Sequence, residues 1–68
     1  MNKFKERLVY LRNQMQLTIP RLSEQTGIPD QTIRQWESGR SRPNIDAVIM
    51  LSKFFSCTTD FLLGVEEY

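Results

Sequence analysis

From Asp30 to Gln35 the chain reads Asp-Gln-Thr-Ile-Arg-Gln, a run in which every residue except Ile33 carries a hydrogen-bonding side chain. Amides donate and accept, a guanidinium donates in a fixed fork, and a carboxylate accepts. Such a set either solubilises a helix face or reads the edge of another molecule. Reaction chemistry is poorly supplied by comparison. The sequence has no histidine and one cysteine, Cys57, so the commonest general base is missing and neither that thiol nor a serine has its usual activating partner. Glu66 and Glu67 pair only by adjacency, on a tail expected to fray. A zinc site would have to be assembled from carboxylates, so no metal, cofactor or enzymatic activity is expected. Cys57 follows an apolar stripe by two positions and reads as a small buried hydrophobe rather than a redox sensor.

The polar run needs a scaffold, and 68 residues allow one domain, residues 1–68, with no internal disulfide. A domain of this size buries only roughly 60% of the surface its unfolded chain exposes, so packing alone must hold it. The longest apolar run, Ala47 to Leu51, is far too short to span a bilayer, and the charged start "MNKFKERL" does not resemble a signal peptide. A soluble, cytoplasmic chain without a membrane partner is expected. Net charge is +1, but residues 1–42 carry +4 and residues 43–68 carry −3, an asymmetry suited to a polyanion on one side.

Phe4, Leu8, Leu11 and Met15 form one stripe of an amphipathic helix over about 3–14, capped by Asn2. Thr18 caps a second helix with Pro20 in its first turn, Leu22 and Thr26 on its inner face, and Gly27 at its end. Ile33 and Trp36, three apart, set the inner face of a third helix that begins at Pro29 or Asp30 and runs to Ser38 before Gly39. Asn44 caps a fourth, with an inner stripe of Ile45, Val48, Leu51, Ser52 and Phe55. Thr58 caps a short fifth, "TDFLL", stopped by Gly64. The reading is all-α: a compact bundle of five short helices with mostly local contacts.

Two helices joined by a short glycine-containing turn can lay the second helix in the DNA major groove. That geometry needs an apolar residue 22, a small residue 23, a residue 27 tolerant of an unusual backbone, and buried residues 28, 33 and 36. The chain offers Leu22, Ser23, Gly27, Ile28, Ile33 and Trp36. With "FKERLVYLR" before them, "TGIPDQTIRQWESGRSRP" at 26–43 and "LSKFFSCTTDFLLG" at 51–64, the sequence resembles the Cro and phage-repressor (Xre) family of helix-turn-helix domains over nearly its whole length.

The resemblance implies a lambda-repressor-like fold, with the motif at about 18–38 and helix 3 as the reader. It makes Asp30, Gln31, Thr32, Arg34 and Gln35 base-contact candidates, and the chemistry suits the role: Gln pairs with adenine, Arg with guanine, Asp with cytosine N4. Against this stands the ordinary solvated helix face, and for Asp30 a helix-start residue that meets the dipole. Thr18, Ser38, Arg40 and Arg42 match phosphate-contact positions, with Lys3, Lys5 and Arg7 adding general positive charge. Arg12 and Glu37 match an ion pair between helix 1 and the end of helix 3, which either clamps helix 3 or orients Arg12 toward phosphate. The family's usual Gln and acid at 19 and 21 are replaced by Ile19 and Arg21; Arg21 could itself reach a phosphate.

The implied function is a sequence-specific regulator of transcription, expected to repress, binding a double-stranded operator as a homodimer without a small-molecule effector. Phe61, Leu63, Val65 and Tyr68 are the dimer candidates, with core packing the alternative for Phe61 and with 65–68 either frayed or at that contact. The competing reading is a protein-binding module, such as an antitoxin, which Ile19 favours.

Overall fold

The computed structural model describes residues 3–65. Helices α1 (Phe4–Gln14), α2 (Ile19–Thr26), α3 (Asp30–Ser38), α4 (Ile45–Phe54) and α5 (Thr59–Leu63) follow one another with no strand among the described residues. Three starts use the expected side chains. Thr18, Asn44 and Thr58 accept from the backbone N–H groups of Arg21, Ala47 and Phe61, respectively, each satisfying a donor with no partner inside its own helix. At α2 the hydroxyl half of a capping box survives, while Arg21 has no acceptor with which to return the bond. Asn2 lies outside the described residues; Lys3 precedes α1 and makes no side-chain cap. Its backbone N–H instead donates to the Leu63 carbonyl at 2.9 Å, tying the start of α1 to the end of α5.

Four of the five helix ends close in the same way. The N–H groups of Leu17, Arg40, Cys57 and Val65 reach back five residues, to the carbonyls of Arg12, Gln35, Ser52 and Asp60. The residue before each is left-handed. Gly39 and Gly64 supply that conformation as expected, but at α1 and α4 it falls on Gln16 (φ 57°) and Ser56 (φ 56°).

Each helix places one side chain at the centre: Leu8, Leu22, Ile33, Leu51 and Leu62 are the fully buried ones. Phe4, Ile28, Trp36 and Val48 surround them. Two members of the expected stripes are corrected. Met15, just past the last turn of α1, is exposed, because the chain turns away there. Ile45 is 76% exposed: α4 is apolar at seven of its ten positions, so spacing alone does not decide which of them face inward. Of the dimer candidates, Phe61 takes the core-packing alternative within the single chain. It is buried, with the Arg7 guanidinium 4.3 Å over its ring, Arg7 donating to its carbonyl, and Tyr10 edge-on at 6.3 Å. Leu63 is half-buried, Val65 is exposed, and Tyr68 lies outside the described residues.

Candidate nucleic-acid interface

The α2–α3 corner is built by few atoms. The Thr26 hydroxyl donates to the Leu22 carbonyl at 2.7 Å and accepts from the Ile28 N–H at 3.3 Å, stitching the last turn of α2 to the connection. Gly27 between them takes φ 80°, a conformation that costs a side-chain-bearing residue about 1 kcal/mol or more. Ile28 returns the chain to the core, and the Pro29 carbonyl accepts from Thr32 and Ile33 to start α3. Helical spacing marks Thr26 only as an inner-face residue; the sequence signal for this stitch is a hydroxyl one position before the turn glycine.

Helix α3 is held by one face. Ile33 is fully enclosed, and Trp36 packs edge-to-face on Phe4 with ring centroids 5.8 Å apart. At its end Glu37 meets Arg12 of α1 through two bonds, Nε to Oε2 at 2.7 Å and Nη2 to Oε1 at 3.0 Å, with side chains only 15% and 10% exposed. A third Arg12 bond, 2.7 Å long, goes to the Leu17 carbonyl. The bond to Glu37 raises the Arg12 pKa, against the opposing effect of burial and with help from the carboxylate charge. This guanidinium is spent on clamping α1, α3 and the α1–α2 connection. Lys5 also crosses the end of α3: a Cβ on Gly39 would lie 3.2 Å from its Cδ.

The opposite face is open. Gln31, Arg34, Gln35, Ser38 and Arg40 line one shallow hollow of about 300 Å³, with Gln31, Arg34, Ser38 and Arg40 exposed and Gln35 half-buried. The Ser38 hydroxyl donates to the Gln35 carbonyl, which also accepts from the N–H groups of Arg40 and Ser41. Helix end and basic loop thus share one anchor. Thr32 and Asp30 are half-buried and outside this hollow; Asp30 stands 3.7 Å from Arg34, one helical turn on. Arg21 is paired with Glu24 at 3.0 Å. Both are exposed pairs, worth about 0–1 kcal/mol, so a stronger anion can displace the carboxylate. Thr18 is exposed at the start of α2. Arg42 is separated from Arg40: it lines another hollow, of about 380 Å³, between α4 and α5.

A helix pair of this geometry, braced from behind and polar in front, has a counterpart among known families: the helix-turn-helix model matches residues 8–62. The chain belongs to the Cro/C1-type helix-turn-helix family. Among curated relatives of this helix-turn-helix chain, the HTH-type transcriptional activator BcrR of Enterococcus faecalis is 43% identical over 65 residues, which are 96% of this chain and 32% of that protein. The HTH-type transcriptional regulator AnsR of Bacillus subtilis is 36% identical over 91% of this chain and 53% of its own length. Repressor protein C2 of Salmonella phage P22 is 31% identical over 85% of this chain and 27% of its own. This helix-turn-helix chain therefore spans about half or less of these relatives. A crystal structure of a transcriptional regulator from Listeria innocua superposes over 100% of the chain and 64% of its own, with a TM-score of 0.87 and 25% identity.

Proposed function

We propose that this helix-turn-helix domain regulates transcription by reading double-stranded DNA with α3 in the major groove. One observation carries the reading: Gln31, Arg34 and Gln35 share a single open hollow with Ser38 and Arg40, on the face of α3 opposite the buried Ile33 and Trp36. Gln31 and Gln35 offer the paired donor and acceptor that adenine presents, and Arg34 the fork that guanine accepts. Thr32 and Asp30 stand at the edge of that surface, Asp30 serving mainly to orient Arg34. Thr18, Arg21, Ser38 and Arg40 supply phosphate contacts, which position the helix without specifying sequence.

The domain acts in the cytoplasm on a two-fold operator, as a homodimer whose reading helices lie one turn of DNA, roughly 34 Å, apart. Repression is the direction we infer, because a domain seated in a promoter groove obstructs other proteins without a further contact. No catalytic step, cofactor or effector enters this reading. The protein-binding alternative rested on Ile19, which is half-buried and packed against the core, so it loses the feature that favoured it.

Selection of bound sequences from a random duplex pool tests the proposal. A half-site motif with spacing near one helical turn is expected. Failure to bind any duplex at about 20 mM salt, where phosphate attraction is strongest, would sink it.

A further inference from the structure

Outside the α3 face, the least explained surface lies between α4 and α5. Helix α4 is apolar at Ile45, Ala47, Val48, Ile49, Met50, Leu51 and Phe54, over most of its circumference, a pattern that ordinarily means cover on more than one side. The core covers the side of Val48 and Leu51, yet Ile45 stays 76% and Ile49 43% exposed, and both line the hollow shared with Arg42, Thr59 and Leu63. At about 380 Å³ it lies at the low end of ligand-sized hollows, roughly 300–1,000 Å³, with room for a short extended segment rather than a helix.

Two further observations name the occupant. Arg42 lines this hollow and, among the described residues, has no carboxylate partner, as is also true of Arg40 on the α3 side, whereas Arg12, Arg21 and Arg34 each have one. Val65 is the second. Leu17 and Cys57, which hold the same place after α1 and α4, pack against the core, but Val65 is 72% exposed. In sequence it is followed by Glu66, Glu67 and Tyr68. An apolar hollow edged by an unpaired arginine thus has, in the same chain, an exposed apolar residue followed by two acids.

We infer that this hollow receives segment 65–68 of a second copy of the chain, Val65 against Ile45 and Ile49 and the glutamates against Arg42, reciprocally in a two-fold dimer. Such an isologous exchange closes at two copies and adds no open-ended contact. It deepens the dimer part of the proposed function and rests on it, but assembly is measured without DNA, so failure here and failure of DNA reading are told apart.

The test is sedimentation of the full chain, wild type and three variants, with circular dichroism to verify folding. Wild type should dimerise. Arg42→Glu alone, and Glu66→Lys with Glu67→Lys alone, should each weaken association by about tenfold or more through like-charge contact. Mixed, they should regain a one-to-one dimer near wild-type strength, since one contact is then reversed and the other native. Ile45→Asp should be monomeric and not rescued by either. A monomeric wild type at every concentration, single variants that dimerise normally, or a mixture that does not recover would each overturn the assignment.

Discussion

Arg12 and Glu37, 25 residues apart in sequence, face each other through two hydrogen bonds of 2.7 and 3.0 Å that join α1 to the last turn of α3. Removing the guanidinium leaves a shielded carboxylate without its partner, so Arg12→Ala should destabilise the fold by about 3 kcal/mol, measured by urea unfolding. Arg12→Lys should recover only part, because an ammonium cannot reproduce the two parallel hydrogen bonds of the guanidinium fork. Raised by its bond to Glu37, the arginine pKa makes this contribution present below the unfolded-state value and lost only as pH rises through the folded one. Arg12 titration should therefore leave the stability effect of Arg12→Ala unchanged across the neutral range; a loss between mildly acidic and mildly basic buffers would point to another partner.

Gln35→Ala should relax preference at one base pair of the selected site, by about 1–3 kcal/mol of discrimination, while binding to random duplex stays nearly constant. Equal weakening on every sequence in competition gel shifts would remove Gln35 from the reading set. Its neighbour Ser38 anchors to its backbone carbonyl, not its side chain, so the helix end should be undisturbed.

Arg40→Ala should do the opposite. Losing a phosphate contact flattens the dependence of log affinity on log salt by about 1 and affects all duplexes alike. Fluorescence anisotropy at a series of salt concentrations reads the slope, and an unchanged slope takes Arg40 out of the phosphate set.

Gln16 and Ser56 both hold the left-handed backbone without being glycine. Gln16→Gly and Ser56→Gly should each raise stability by about 0.5–1 kcal/mol, a rise of a few degrees in melting temperature for a chain this size. Alanine at the glycines should lower it, and unequally. A Cβ on Gly27 meets nothing within 4 Å and suffers only backbone strain, whereas one on Gly64 would come within 2.6 Å of Lys3 Cβ and 2.9 Å of Lys3 N. Calorimetry should therefore rank Gly64→Ala well below Gly27→Ala.

These two non-glycine turns also mark where sequence reading ran short. A glycine after a periodic stretch announces a left-handed closure; Gln and Ser at the same place do not, since the chain beyond them, not their own preference, imposes the conformation. The inner faces of α2 and α3 were legible because they carry few apolar residues at helical spacing. On α4 the spacing holds for Val48, Leu51, Ser52 and Phe55, which face the core, and fails at Ile45, because a helix with seven apolar residues in ten offers more than one stripe. The polar face of α3 followed directly from the burial of Ile33 and Trp36. The parting of Arg40 from Arg42 could not follow, as it depends on the path taken after Gly39. The Arg12–Glu37 bonds were foreseeable only by resemblance: no local periodicity links positions so far apart.

One central side chain from every helix has a consequence for regulation. No helix can leave its place without opening the space the other four fill, so the chain should lose its structure in a single sharp transition, with the slowest amide protons of all five helices exchanging at one common free energy. Melting the recognition helix alone is then no switch, because it takes the whole core with it. The number of copies present and the way they assemble are levers that leave this core intact.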